Sequence, residues 1–160
     1  MAYIDYEFYK NNFYGNDVPE EELPKYADRA SDRIDRFTFD RLADGLPLDE
    51  RTRIKIQKAV CAVADALYKI DYIKKASMDN IGIIKREDGT VVNKAVSSVS
   101  SGNESISYVT GSNATGKDIY SQAAMDRKVE NMLLMSIAND YLVGVTDDNG
   151  VCLLYAGMRG

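Results

Sequence analysis

The sequence predicts a mainly α protein: a small bundle of three principal helices, with a β-hairpin or extended arm between the second and third long helices. Three observations lead there. Two amphipathic helical patterns are joined by a short connector, the periodicity changes after residue 80, and helical spacing returns from about residue 117. With 160 residues, 45% of them hydrophobic, the chain can bury one adequate core, and its length suits a single domain over 1–160. Within it we expect a helical hairpin over 18–76, an extended or β arm over 80–116, a helix over 117–142 and a tail over 146–160.

The stretch from Leu48 to about Ala76 is the longest uninterrupted helical pattern and contains no Gly. Ile56, Val60, Val63, Leu67 and Ile70 recur at spacings of four and three, which places them on one stripe, while Arg51, Lys55, Lys58, Asp65 and Lys69 fall on the other side. At 1.5 Å per residue this spine runs roughly 40 Å, enough to cross a small domain. Ala59, Cys61, Ala62, Ala64 and Ala66 allow neighbouring elements to approach closely. Asp65, a lone carboxylate among alanines, reads as a satisfied packing residue more readily than as an acid catalyst.

Before the spine, Asp17 and Glu20 form a candidate capping pair for a helix that buries Leu23, Tyr26, Ala27, Ala30, Ile34 and Phe37. Glu21/Lys25 and Asp32/Arg36 are acid-before-base pairs on its outer face. Pro24 either delays the start or kinks the first turns. Thr38 to Pro47 is a connector whose Asp44 and Gly45 signal a turn, and so short a link favours an antiparallel helical hairpin. Ahead of all this, Tyr3, Tyr6, Phe8, Tyr9, Phe13 and Tyr14 concentrate aromatic side chains in twelve residues. Such rings suit either a packed cover over the helices or a partner surface, with intramolecular packing the first expectation.

Ile81 to Val92, with Asp88 and Gly89 at its centre, reads as a hairpin because Asp-Gly supplies the positive φ angles of a tight turn. Ser105 to Val109 is a second extended stretch, and the polar run Ser97 to Ser101 reads as an arm or flexible loop. From Lys117 to Leu142 the spacing of Met125, Val129, Met132, Leu133, Ile137 and Tyr141 predicts a third long helix packed on the first two. Thr146 to Gly150 then breaks the helix. The apolar tail beyond it, Leu153, Leu154 and Tyr155, either folds back on the core or adds to another subunit as a short strand.

A net charge of −5 argues against a protein whose main task is gripping nucleic acid, since that affinity comes from Lys and Arg neutralising phosphates. Asp5 and Glu7 stand where a signal peptide would be basic, and no apolar run approaches the ~20 residues of a membrane span, so a soluble, intracellular product with no membrane association is expected. Cys61 and Cys152 form no CxxC motif and there is no histidine. Both read as reduced thiols, and the Ser-His and Cys-His nucleophile arrangements are excluded.

Gly111 to Lys117 matches a glycine-rich phosphate loop up to its lysine, but Asp118 stands where a hydroxyl should ligate magnesium, and its carboxylate would repel phosphates. The plain reading is a flexible loop with Asp118 near a helix start. Asp147, Asp148 and Asn149 resemble a fragment of a calcium loop without its closing Glu, and read as a polar turn. No catalytic residue, metal or cofactor is expected.

Five pieces stand in order along the chain: Tyr14-Gly15, the first helix with Ala30, Ser31, Ile34, Asp35 and Thr38, the spine segment Ala59 to Asp65, the strand Gly102 to Ser107, and Leu153-Leu154-Tyr155 followed by Gly157. Taken together, they resemble the head-tail connector proteins (head completion, or adaptor, proteins) of long-tailed phages and prophages. The resemblance runs through nearly the whole chain. It implies a non-enzymatic virion protein of the neck, made in the host cytoplasm, that forms a homo-oligomeric ring beneath the portal. Such a ring would extend the channel for passing double-stranded DNA, without sequence-specific binding, and receive the next neck or tail component. Two departures stand out: Ala156 in place of the usual Arg after Leu-Leu-Tyr, and a region over 80–116 longer than in compact members. Candidate interface residues are Leu153, Leu154, Tyr155, Tyr3, Tyr6, Tyr9, Ile106 and Tyr108. The alternatives are a nucleotide-binding enzyme using 111–117, or a tail-completion or scaffolding protein.

Overall fold

The apolar stripe of the spine becomes one 30-residue helix, and other helices pack on it. The computed structural model of the chain describes residues 2–79, 83–85, 91–93, 98–101, 104–107 and 118–156. Its helices are α1 (Tyr6–Asn11), α2 (Leu23–Phe37), α3 (Glu50–Asp79), α4 (Ile119–Met125) and α5 (Arg127–Leu142), and the protein is mainly helical. Helices α2, α4 and α5 all contact α3.

In α3, Ile56, Val60, Val63, Leu67 and Ile70 are all buried, as the periodicity predicts. Burial of each contributes about 1.5–3 kcal/mol, which outweighs the few tenths that β-branched residues cost a helix. Ala59, Cys61, Ala64 and Ala66 are buried as well, so α3 is enclosed over much more than one stripe. Its start is fixed by Asp49, whose carboxylate accepts from the Thr52 N–H at 2.8 Å.

Helix α2 buries the expected Leu23, Tyr26, Ala27, Ala30, Ile34 and Phe37. Its start differs from expectation. A turn comes first, in which the Leu23 N–H donates to the Pro19 carbonyl at 2.9 Å, and Pro24 occupies the first helical turn, where its missing donor leaves nothing unpaired. Asp17 and Glu20 do not cap this helix: Asp17 pairs with Lys69 at 2.7 Å instead. The aromatic N-terminus contains a helix, α1, that the periodicity did not signal. Asp5 caps it by accepting from the Phe8 N–H at 2.8 Å.

The expected third helix is two. Asp126 leaves helical geometry (φ −126°, ψ 117°) and caps α5 by accepting from the Lys128 N–H at 2.7 Å. Aspartate favours such caps over helix interiors. The buried face of α5 is also rotated from the one expected. Glu130, Leu134, Ala138 and Leu142 are inside, whereas Met125 and Met132 are exposed and Val129, Leu133, Ile137 and Tyr141 are half-buried.

Two short antiparallel pairs are described between α3 and α4. In the first, β1 (Ile83–Lys85) runs beside β2 (Val91–Asn93), with Ile84 in register with Val92. In the second, β3 (Ser98–Ser101) runs beside β4 (Glu104–Ser107), with Val99 in register with Ile106. The expected turn at Asp88-Gly89 and the rest of the arm lie outside the described residues. After α5 the chain reverses through Asp147 to Gly150, with Gly150 at φ 77°, and Thr146 bridges Cys152. The Leu153 N–H then donates to the Val145 carbonyl at 2.9 Å, and the Leu153 side chain is wholly buried.

Candidate interaction surfaces

The candidate interface residues divide sharply by burial. Tyr9 and Leu153 are fully buried and belong to the core, so neither forms part of an exposed face of the folded chain. Tyr155 is 61% exposed, while Leu154, Tyr3 and Tyr6 are half-buried against the core. Ile106 is described only as a residue of β4, and Tyr108 and the phosphate-loop-like Gly111 to Lys117 lie outside the described residues.

The N-terminal segment is fastened by two tyrosine–carboxylate pairs. The Tyr3 hydroxyl donates to Asp35 at 2.6 Å, and the Tyr9 hydroxyl donates to Asp65 at 2.5 Å while accepting from the Val18 N–H at 3.1 Å. Burial pushes the Asp65 carboxyl up to about 6, and the Tyr9 hydrogen bond offsets only part of that rise. Burial, helped by the neighbouring carboxylate, likewise raises the Tyr9 hydroxyl. Asp65 is thus a partly buried carboxyl held by the Tyr9 hydroxyl. Cys61, a buried free thiol one turn away, is raised chiefly by burial.

A second polar cluster joins three helices. Glu130 is buried and accepts from Arg33 of α2 at 2.9 Å and from Lys74 of α3 at 2.8 Å, while Arg33 also donates to Asn131 at 2.5 Å. One turn back on α2, Arg29 pairs with Asp71 of α3. Burial works to raise the Asp71 carboxyl, but the hydrogen bond and charge of Arg29 outweigh it and hold the group below its ordinary value. Sequence reasoning missed the Glu130 cluster because its members lie 56 and 97 residues apart. A glutamate followed at four-residue intervals by Leu134, Ala138 and Leu142 was the signal available.

Two clefts open beside these groups. One, of about 370 Å³, lies where α2, α3 and the α4–α5 junction meet and is lined by Arg33, Lys74, Arg127 and Glu130 over an alanine floor. The other, of about 360 Å³, lies between Tyr68, Tyr72 and Ile73 of α3 and Tyr120 of α4, and includes the Lys69–Asp17 pair. The last two helices and the residue just beyond them expose Ile119, Met125, Met132, Met135 and Val143.

Among the described residues no group of three His, Cys, Asp or Glu side chains is placed to hold a metal, and no helix is long and apolar enough to cross a membrane. The calcium-loop fragment is a turn: Asp147 accepts from the Asn149 and Val151 N–H groups at 2.9 Å each, and Asp148 accepts from the Leu48 N–H at 2.9 Å. What the arrangement offers is contact surface on a helical body. No protein-family model, curated protein or solved structure matches the chain.

Proposed function

We propose that this chain is a structural virion protein of a long-tailed phage, one subunit of a ring-shaped adaptor between the portal and the neck or tail. It completes the head, extends the DNA channel and catalyses nothing. The observation that carries this reading is the ordered series of matching pieces from Tyr14-Gly15 to Leu153-Leu154-Tyr155. In this reading α2, α3 and α5 form the rigid bundle, and the hairpin-bearing arm over 80–116 reaches neighbouring subunits or the portal.

The physical chemistry is compatible. A body closed around α3 gives each subunit a fixed shape, while Met125, Met132, Met135, Val143 and Tyr155 leave apolar area uncovered on the single chain. Flexible methionine side chains suit surfaces that repack against a partner. In a ring, different patches of the same chain meet around the circle. The net charge of −5 keeps duplex DNA from adhering as it passes.

Quantitative mass spectrometry of intact virions tests the assignment. We expect the chain at a low, fixed ratio to the portal, close to one ring per particle. Its absence from virions would overturn the reading.

A further inference from the structure

The cleft beside Glu130 holds more positive charge than its one carboxylate neutralises. Arg33, Lys74 and Arg127 line it with Glu130, in a chain whose net charge is −5. Glu130 accepts one hydrogen bond from Arg33 and one from Lys74. An ammonium carries three donors, so Lys74 retains two beyond that bond. Arg127 is exposed and makes no hydrogen bond or ion pair among the described residues. Ala123 and Ala124 form an apolar floor, and Met125, 75% exposed, stands at the rim. A carboxylate on a short methylene stem suits this combination: donors for its oxygens and apolar wall for its carbons.

The same chain carries the complementary feature. Glu20, Glu21 and Glu22 form its longest run of like charge, are all exposed, and have no ion-pair partner among the described residues. The helix dipole favours acids at the start of α2, which accounts for their sign but pairs them with no cation. Glu22 lies eleven residues before Arg33, roughly 16 Å along the helix axis. That span exceeds the reach of a glutamate side chain, so these carboxylates do not fill the cleft of their own molecule. Two unlike, mutually complementary patches on one chain are what a head-to-tail contact between copies requires.

We propose that the Arg33–Lys74–Arg127 cleft is a docking site for the Glu20–Glu22 segment of a second copy of this chain. The contact deepens the ring reading and supplies one of its subunit interfaces, yet it is measurable on separated molecules. A synthetic peptide spanning residues 16–25 is titrated into the full-length chain at low ionic strength and followed by amide chemical shifts. Saturable binding is expected, with the largest shifts around Lys74, Ala123 and Arg127, weakening as salt is added. Arg127→Glu should weaken binding at least about tenfold, and Arg127→Ala less. A peptide carrying Glu20→Lys, Glu21→Lys and Glu22→Lys should bind the Arg127→Glu chain better than the wild type. Because Arg127 is exposed and makes no ion pair among the described residues, circular dichroism should show both variants folded.

Absence of saturable binding overturns the proposal, as does equal binding by wild type and Arg127→Glu. Displacement of the peptide by a duplex DNA oligonucleotide at lower concentration than by free peptide also overturns it, by assigning the cleft to phosphate. Failure of the ring reading is a separate result. A chain missing from virions that still binds the peptide leaves the contact standing, and a chain present in virions that does not bind it removes the contact alone.

Discussion

The Tyr9 hydroxyl bridges two segments of the chain, donating to Asp65 on α3 and accepting from the N–H of Val18 ahead of α2. This makes Asp65 the group with the clearest pH signature. Its carboxyl is raised from 3.8 to about 6, so between those values the folded chain holds a proton that the unfolded chain has lost. Stability from this group is therefore fully present below the unfolded value, falls as pH rises through that window, and is flat above it. Asp65→Asn keeps an acceptor for Tyr9 and removes the charge. We expect it to stabilise the chain at pH 7.5 by roughly 1–2 kcal/mol after allowing for solvent screening, with the gain vanishing near pH 4. Urea unfolding of both chains at several pH values measures it; a gain that is independent of pH would assign the effect to something other than this ionisation.

Gly15 is buried against the same tyrosine. A Cβ built there would stand 2.1 Å from Tyr9 Cζ, with the rest of the ring edge almost as close, and the ring is fully buried with nowhere to move. Tyr14 before it already turns the chain at φ 60°. Gly15→Ala should therefore cost about 2–3 kcal/mol by overpacking. Combined with Tyr9→Ala it should cost much less than the sum of the two single changes, because the clash disappears with the ring. Additive losses in that double-mutant cycle would show that the glycine is required for backbone reasons alone.

The sequence made α2 and α3 legible because each buries aliphatic and small residues at 3.6-residue spacing, and Leu23 to Phe37 and Ile56 to Ile70 carry that spacing without competitors. Helix α5 was readable as a helix but its face was not. Leu133 and Leu134 are adjacent, methionines flank them on both sides, and the residue that marks the inner face is the charged Glu130. A carboxylate is acceptable inside only because Arg33 and Lys74 arrive from distant parts of the chain, which no local pattern records. Helix α1 has six residues, too few for periodicity to register, although Asp5 at its cap was visible. The exposed faces were the least legible, since exposure depends on which helix covers which.

Leu153 folds back on the core, the first of the two alternatives for the tail, while Tyr155 stays exposed. The tight turn at Gly150 and the Thr146–Cys152 bridge return the chain so that the Leu153 side chain enters the core. Truncation after Gly150 should destabilise the protein by about 3–4 kcal/mol, and Leu153→Ala alone by most of that, in line with other large-to-small core changes. Tyr155→Ser, at an exposed position, should leave the thermal midpoint nearly unchanged. If thermal melts show the truncated chain as stable as the full one, the burial of Leu153 contributes little.

Glu130 offers the sharpest contrast between a charge and its shape. Arg33 and Lys74 converge on it from two helices, so its carboxylate pairs with two partly buried cations and ties α2 and α3 to α5. Glu130→Gln preserves the volume and one acceptor oxygen but leaves the cations facing a neutral amide, and we expect a loss of about 2–3 kcal/mol. Adding Lys74→Met to that variant should recover part of the loss, because the amide then faces one cation and Lys74 is the more exposed of the two. Chemical denaturation of the single and double variants reads this directly. A double variant less stable than Glu130→Gln alone would mean that Lys74 contributes to the fold independently of the carboxylate.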